Sequence, residues 1–325
     1  MRQWVAESSA GVSSAVCHDP DQLQFTLIHA ADRSVYRIDI PGTEQFLVLK
    51  IWSTDENGVP LKQTNLSILD EFEKTQSAYR AWSKTCQESY SMGEPVAVSE
   101  SRQALLLTGC PGEEFSKYLN KKLLIWPCAR AAIRRRFRGA GEWLAYFHSA
   151  SMRDEDGIEY LDNRRMHLIR MLDAIQNTVS DPGIGRLPVS RFDDLINPID
   201  SLPVVLIHGN YALRNLLVND NSVSVIDFEE SRRECSAFDV GQFVAEILVR
   251  GFLPTLSRGF IDRSVRDFLD GYSVLCKLDA NLLDAYVGYH LVAFYFEHVR
   301  RKSLNSIAKL RRNHIRRELV RWLEK

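Results

Sequence analysis

The sequence has 325 residues and almost no net charge, −1 at pH 7. That balance argues against a dedicated nucleic-acid binder, whose surface must be broadly basic to meet phosphate. Cysteine is sparse. Cys17, Cys86, Cys110, Cys128, Cys235 and Cys276 are scattered, without CxxC spacing, and are not clustered with histidines. A zinc site is therefore not expected; buried thiols in a reducing compartment are. Long apolar runs are also missing. No stretch approaches the roughly 20 residues a membrane span needs, and the opening segment MRQWVAESSAGVSSAVCHDPDQ lacks an apolar core of signal-peptide length. These absences point to a cytosolic protein. Internal repeats and low-complexity tracts do not occur.

What charge there is lies unevenly. Residues 300–325 contain ten Lys or Arg against two acids, Glu318 and Glu324, so the remainder is acidic on balance. Ile307, Leu310, Val320 and Leu323 give this basic stretch an apolar face to pack. Two readings stay open for it: a solvated helix face, and a peripheral contact with an anionic membrane surface or acidic glycan.

The length and a 45% hydrophobic content suggest two lobes. Residues 1–20 are small and polar and read as a loose segment. QFTLIHAADRSVYRIDI and QFLVLKIW read as strands joined by a turn at IPGTE, and PVAVSESRQALLLTG as a further hairpin. Between them LSILDEFEKTQSAYRAWSKT has helical spacing, with Leu69, Phe72, Ala78 and Tyr79 as its apolar residues. From about residue 113 the pattern turns helical. RAAIRRRFRGAGEWLAYFHSAS, DNRRMHLIRMLDAIQNTV, AFDVGQFVAEILV, VRDFLDGYSVL and DAYVGYHLVAFYFEHVRRK all read as helices. The expected fold is α+β and bilobal: a small β-rich lobe with one helix over 21–108, and a large, mainly helical lobe over 109–325. The hinge is expected near Thr108 to Gly112.

The most informative stretch is HGNYALRNLLVNDNSVSVIDFEE, residues 208–230. Leu216 to Val218 and Val223 to Phe228 are apolar runs joined by Asn219, Asp220, Asn221 and Ser222, all turn residues, which predicts a β-hairpin. A hairpin brings its open ends together, so Asn215 is expected beside Asp227. An amide oxygen next to a carboxylate suits a hard cation such as Mg²⁺, which takes oxygen ligands and keeps waters that phosphate can replace. Asn210 lies five residues before Asn215, within reach of the same pocket.

An acid, an Asn five residues on, and a metal-binding Asp after a hairpin is the arrangement of the protein-kinase catalytic loop. His-Gly-Asp, then Asn, then a strand ending Ile-Asp-Phe is the pattern of the aminoglycoside phosphotransferase family, which is related to choline and fructosamine kinases. This sequence resembles that family, with His208-Gly209-Asn210, Asn215 and Ile226-Asp227-Phe228. RGAGEWLAYFH (138–148) is similar to its central helix, LLLTGCPGEEFSKYL (105–119) to its hinge, and Ala237-Phe238-Asp239-Val240 to the acidic stretch opening the next helix. The resemblance spans about 24 to 300. It implies a kinase-like fold, ATP and Mg²⁺ as cofactors, and a hydroxyl-bearing small molecule or glycan as acceptor, with Arg214 pointing either at substrate or at solvent. It also implies that Lys50 contacts nucleotide phosphates, paired by a helix Glu. Glu71 and Glu73 are both candidates; Glu73, nearer the Leu69–Phe72 face, is preferred. The adenine is expected on the backbone near Thr108 and Cys110, and the phosphate loop at residues 29–34, which contains no glycine.

One residue departs from the pattern. Asn210 stands where the family carries its acid, and an amide is not basic enough to take a hydroxyl proton. Losing general-base help costs roughly 10²–10⁴ in rate, but phosphoryl transfer depends mostly on positioning and charge stabilisation. Nucleotide binding is expected to survive, with turnover slow or lost. Three origins are compatible: a natural pseudokinase acting as a nucleotide-binding regulatory or scaffold protein, a deliberately disabled variant, or an active enzyme in which another acid, such as Glu229 or Glu230, accepts the proton.

Overall fold

The structure is a computed structural model. It describes residues 1–9, 20–30, 33–52, 67–85, 89–123, 129–179, 184–185, 187–199, 202–219, 222–251, 256–301 and 305–325. Two expectations fall partly outside these residues: positions 31 and 32 of the phosphate loop, and Asp220 and Asn221 of the hairpin turn. Cys17, Cys86 and Cys128 lie outside them too. The chain forms two compact units, Met1–Gly112 with Leu217–Ser231, and Glu113–Leu216 with Arg232–Lys325.

The first unit opens with α1 (Arg2–Ser9), β1 (Gln24–Ala30), β2 (Arg33–Asp39) and β3 (Phe46–Trp52). It continues with α2 (Ile68–Trp82), β4 (Tyr90–Met92), β5 (Pro95–Ser99) and β6 (Ala104–Thr108). The main sheet has the order β1-β2-β3-β6-β5, with every pairing antiparallel. Side chains alternate across a strand, and this sheet uses both faces. Leu47, Leu49, Ala104 and Leu106 share one core cluster with Val5 and Ala6 of α1. Trp52 and Leu105 share the other with Ile68 of α2. Lys50, two residues from Trp52, is therefore carried on the α2 side.

The start of the chain differs from expectation. Residues 2–9 are helical rather than loose, because Val5 is fully buried in the sheet core. The Arg2 guanidinium also donates to the carbonyls of Pro20, Asp21 and Leu23.

The second unit begins with β7 (Glu113–Glu114), α3 (Phe115–Leu123), α4 (Arg130–Ser151) and β8 (Arg153–Asp156). α5 (Ile158–Thr178), α6 (Leu187–Ile196) and β9 (Pro203–Ile207) follow. The chain then supplies β10 (Leu216–Val218) and β11 (Val223–Val225). The sequence reading ran the second lobe unbroken from 109 to 325, but Leu217–Ser231 belongs to the first unit. The cause is pairing: β11 lies between β10 and β4 and runs parallel to β4, with Val223 and Val225 buried.

The second unit closes with β12 (Arg232–Cys235), α7 (Ala237–Arg250), α8 (Arg258–Tyr272), α9 (Ala280–Val299) and α10 (Ser306–Leu323). β12, β9 and β8 form a small antiparallel sheet. α9 packs on α5, α6, α7 and α10, which explains why it is apolar on almost every side. α4 and α8 meet backbone to backbone. A Cβ on Gly141 would lie 2.0 Å from the Phe268 carbonyl oxygen, and one on Gly271 would lie 2.1 Å from that of Arg138.

On α10 the buried residues are His314, Ile315, Glu318, Leu319 and Trp322. Ile307 and Leu310, expected to pack, are 65% and 63% exposed. The helix phase set by Ile315 and Trp322 turns them outward.

Candidate active site

In the first unit, charged groups gather around Lys50. Its ammonium donates to Glu71 Oε1 at 2.7 Å and to Asp227 Oδ1 at 2.8 Å. Trp52 Nε1 donates to the second Glu71 oxygen at 3.2 Å. Arg33, opposite Trp52 in the β2–β3 register, reaches Glu229 at 3.1 Å, Glu71 at 3.5 Å and Asp227 at 3.6 Å. Lys74 donates to the Glu229 carbonyl at 2.8 Å. Burial by itself would lower the Lys50 pKa, but the carboxylates of Asp227 and Glu71 outweigh it and hold the ammonium above its ordinary value. Lys50 is charged throughout the physiological range.

The partner of Lys50 is thus Glu71, and the preference for Glu73 is corrected. Ser67 caps α2, its hydroxyl accepting from the Asp70 N–H while the Asp70 carboxylate accepts from the Ser67 N–H. From that start the buried stripe runs Ile68, Glu71, Thr75, Ala78 and Trp82, and Glu73 is exposed. Leu69 and Phe72 are only half-buried, so they misplace the inward face by about a quarter turn. Ile68, Ala78 and Trp82, at helical spacing, were the signal that would have located it.

Asp227 has φ of +73°, a left-handed conformation that costs a non-glycine residue about 1–2 kcal/mol. Such strain persists where the surroundings fix a side chain for a purpose. Carboxylate oxygens of Glu71, Asp227 and Glu229 lie within 4.8 Å of one another. All are hard oxygen donors of the kind a divalent cation takes, and here they are ion-paired with Lys50 and Arg33. Arg33 falls within the expected phosphate loop, but its pairing with these acids was not foreseen, and Glu229 was considered only as an acid that could accept a proton.

The hinge residues are placed as follows. The Thr108 N–H donates to the Glu94 carbonyl at 2.8 Å, and its hydroxyl accepts from the Glu94 N–H at 2.7 Å. The Thr108 N–H is therefore already engaged within the unit. Cys110 is buried, and burial pushes its thiol up to about 11. Cys110, Cys235 and Cys276 are free, buried thiols.

In the second unit, β9 delivers His208-Gly209-Asn210 onto a loop braced from behind by α7. Asp239, fully buried, accepts the His208 N–H at 2.6 Å, the Gly209 N–H at 2.9 Å and His148 Nε2 at 3.2 Å. Gly209 has φ of +81°, which glycine adopts without strain. Burial alone would raise the Asp239 pKa; the hydrogen bond and charge of His148, with that of His208, reverse this and hold it below the usual carboxylate range. His208 Nδ1 accepts the Asn210 N–H at 3.2 Å. His208 therefore orders the loop.

The Asn210 side-chain oxygen accepts from Arg214 at 2.9 Å and from Gln242 at 3.3 Å. A guanidinium can only donate, so the orientation of this amide is fixed by its neighbours. Asn215, 5% exposed, donates its amide N–H to the Asn210 carbonyl at 2.8 Å, which leaves its oxygen as the group it can offer an ion. Asn215 belongs to the second unit and Asp227 to the first.

The sequence profile of the phosphotransferase enzyme family matches residues 27–275. The chain belongs to that family. Solved structures with the same fold include a glucosamine kinase, 16% identical, covering 98% of this chain and 84% of its own, with a TM-score of 0.66. A putative aminoglycoside phosphotransferase from Ralstonia eutropha JMP134 is 13% identical, covers 99% and 96%, and has a TM-score of 0.65. An amicoumacin kinase solved with AMP-PNP and Ca²⁺ is 16% identical, covers 98% and 93%, and has a TM-score of 0.55. No curated protein matches the chain. The fold of this phosphotransferase family member is kinase-like and α+β, as the sequence implied. Among the described residues no helix is long and apolar enough to cross a membrane.

Proposed function

We propose that this chain is an ATP-dependent phosphotransferase acting on a hydroxyl of a small molecule or glycan, with turnover limited by Asn210. The observation that carries this reading is the buried Lys50 held between Glu71 and Asp227 in a member of a phosphotransferase family. Lys50 binds and orients nucleotide phosphates, and Glu71 fixes the ammonium while neutralising its charge. Asp227 would offer a carboxylate oxygen to Mg²⁺, and Asn215 its amide oxygen. Bound ATP-Mg²⁺ supplies the phosphoryl group and screens its negative charge. The adenine takes backbone atoms beside Thr108 and Cys110. Asn210 accepts a hydrogen bond from the acceptor hydroxyl and orients it, but does not remove its proton.

The test has two parts. ATP-Mg²⁺ should raise the melting temperature by mass action. Asn210→Asp should then yield transfer to a member of a hydroxylated metabolite panel. No thermal response to nucleotide would end the reading. A response without transfer, even in Asn210→Asp, would favour a nucleotide-binding regulatory or scaffold protein.

A second reading concerns α10, where exposed Ile307 and Leu310 stand among Lys309, Arg311 and Arg312. That combination suits peripheral contact with an anionic membrane surface. Co-sedimentation with phosphatidylserine vesicles, lost in Ile307→Ser/Leu310→Ser, tests it.

A further inference from the structure

Arg33 is the first residue of β2 and lies within the expected phosphate loop. Residues opposite each other across antiparallel strands share a face of the sheet, as do residues two apart along one strand. Arg33 stands opposite Trp52, and Val35 opposite Lys50. The register therefore puts the Arg33 and Lys50 side chains on one face, toward Glu71 of α2.

The Arg33 guanidinium meets the Glu229 carboxylate fork to fork, with N–H groups donating to its two oxygens at 3.1 and 3.3 Å. It also lies 3.5 Å from Glu71 and 3.6 Å from Asp227. Lys74 donates to the Glu229 carbonyl at 2.8 Å, so the backbone that presents this carboxylate is itself held. The Arg33 and Glu229 side chains are 14% and 12% exposed, and both can still be reached by a ligand.

Two features separate this pair from an ordinary structural tie. Asp227 Oδ1, which carries Lys50 at 2.8 Å, also has Arg33 at 3.6 Å. A divalent ion taken up at that oxygen is repelled by the guanidinium beside it. The carboxylates are thus of the right kind for the ion, but Arg33 already answers their charge. The loop at 29–34 also contains no glycine, the residue that lets backbone come close to phosphate. A phosphate contact from this loop falls to a side chain, and the arginine fork matches phosphate as well as it matches carboxylate.

We propose that Arg33 is a nucleotide-phosphate ligand that exchanges partners. It pairs with Glu229, Asp227 and Glu71 in the free protein, and moves to the terminal phosphates when ATP-Mg²⁺ binds, releasing the carboxylates to the metal. Charge stays balanced through the exchange: Arg33 follows the negative phosphate, and the metal replaces the positive charge that Arg33 withdraws. Nucleotide and metal then help each other to bind, because either one alone must break the Arg33 pairing. This rests on the phosphotransferase reading above and adds to it the residue that stands in for a glycine-rich loop.

Three titrations of the full-length protein test it: Mn²⁺ alone, read by the electron paramagnetic resonance of free Mn²⁺; ATP alone in chelator; and ATP-Mg²⁺, the last two by calorimetry. Arg33→Gln should bind ATP-Mg²⁺ about tenfold or more weakly, yet bind Mn²⁺ alone roughly threefold or more tightly. Glu229→Gln should bind metal-free ATP roughly threefold or more tightly, because it frees Arg33. The two halves of one ion pair thus shift ATP binding in opposite directions. Arg33→Lys keeps the charge without the fork and should fall between wild type and Arg33→Gln for ATP-Mg²⁺. Arg37→Gln, at an exposed position on the same strand, should match wild type throughout. Melting curves establish which variants are folded; should Arg33→Gln not fold, Arg33→Lys and Glu229→Gln carry the same opposition.

Equal weakening of ATP in the Arg33 and Glu229 variants overturns the proposal, since Arg33 then only ties the strand to residue 229. Unchanged ATP-Mg²⁺ affinity in Arg33→Gln overturns it too, as does Mn²⁺ binding no tighter than wild type. Failure of the wild type to bind ATP-Mg²⁺ refutes the phosphotransferase reading and the phosphate half of this proposal together. The Mn²⁺ comparison uses no nucleotide, so a failure there is scored apart from that reading.

Discussion

Asp239→Asn isolates the group that holds the catalytic loop. The native carboxylate accepts two backbone N–H groups, from His208 and Gly209, and the ring N–H of His148, with Asp239, His208 and His148 fully buried. Asparagine is nearly isosteric but offers one oxygen, and its NH₂ must face a donor. One buried N–H left unmatched costs about 1–3 kcal/mol. The surviving bonds change from charge-assisted to neutral and lose roughly half their strength, so the total is about 2–5 kcal/mol. For a unit of this size that is a melting temperature lower by about 5–15 °C.

Thermal unfolding followed by circular dichroism measures it, with Asp194→Asn as control at an exposed position, expected within about 0.5 kcal/mol of wild type. The pH dependence supplies a second check. The folded pKa of Asp239 is depressed, so its contribution is fully present above the ordinary carboxylate value. It is lost as pH falls through the lower folded value. The gap between wild type and Asp239→Asn should therefore close only under acid conditions. If Asp239→Asn melts with the Asp194→Asn control at pH 7, the bracing role is wrong.

Glu71→Gln and Glu73→Gln, compared by nucleotide titration, should separate sharply. The first weakens binding tenfold or more because Lys50 loses a buried ion-pair partner, and the second changes nothing measurable. Asn210→Asp should raise turnover by about 10²–10⁴ once an acceptor is found, read as ADP release; an unchanged rate would mean that another group already takes the proton. Gly141→Ala places a Cβ 2.0 Å from the Phe268 oxygen and should cost about 3 kcal/mol or more, seen as a lower urea midpoint, whereas α4 tolerating it would contradict the close α4–α8 approach.

Local pattern made much of this protein legible. The strands of the main sheet, α2, α4, α5 and the helices after Asp227 announce themselves by periodicity, because each element's own spacing decides which residues can share a face. The 208–230 segment carries its motif in contiguous residues, so the phosphotransferase resemblance needed no fold. α1 was missed because what makes it a helix, Val5 seated against Ile38 and Leu49, is contact with strands far along the chain.

Composition, the type of most elements and the order of the catalytic motif were thus settled by the sequence alone. Tertiary structure decided the pairings. It chose Glu71 over Glu73, because a rotation of about 100° per residue separates inward from outward on α2 and only the sheet beneath fixes the zero of that rotation. It placed residues 217–231 with the first unit, since strand pairing is not local.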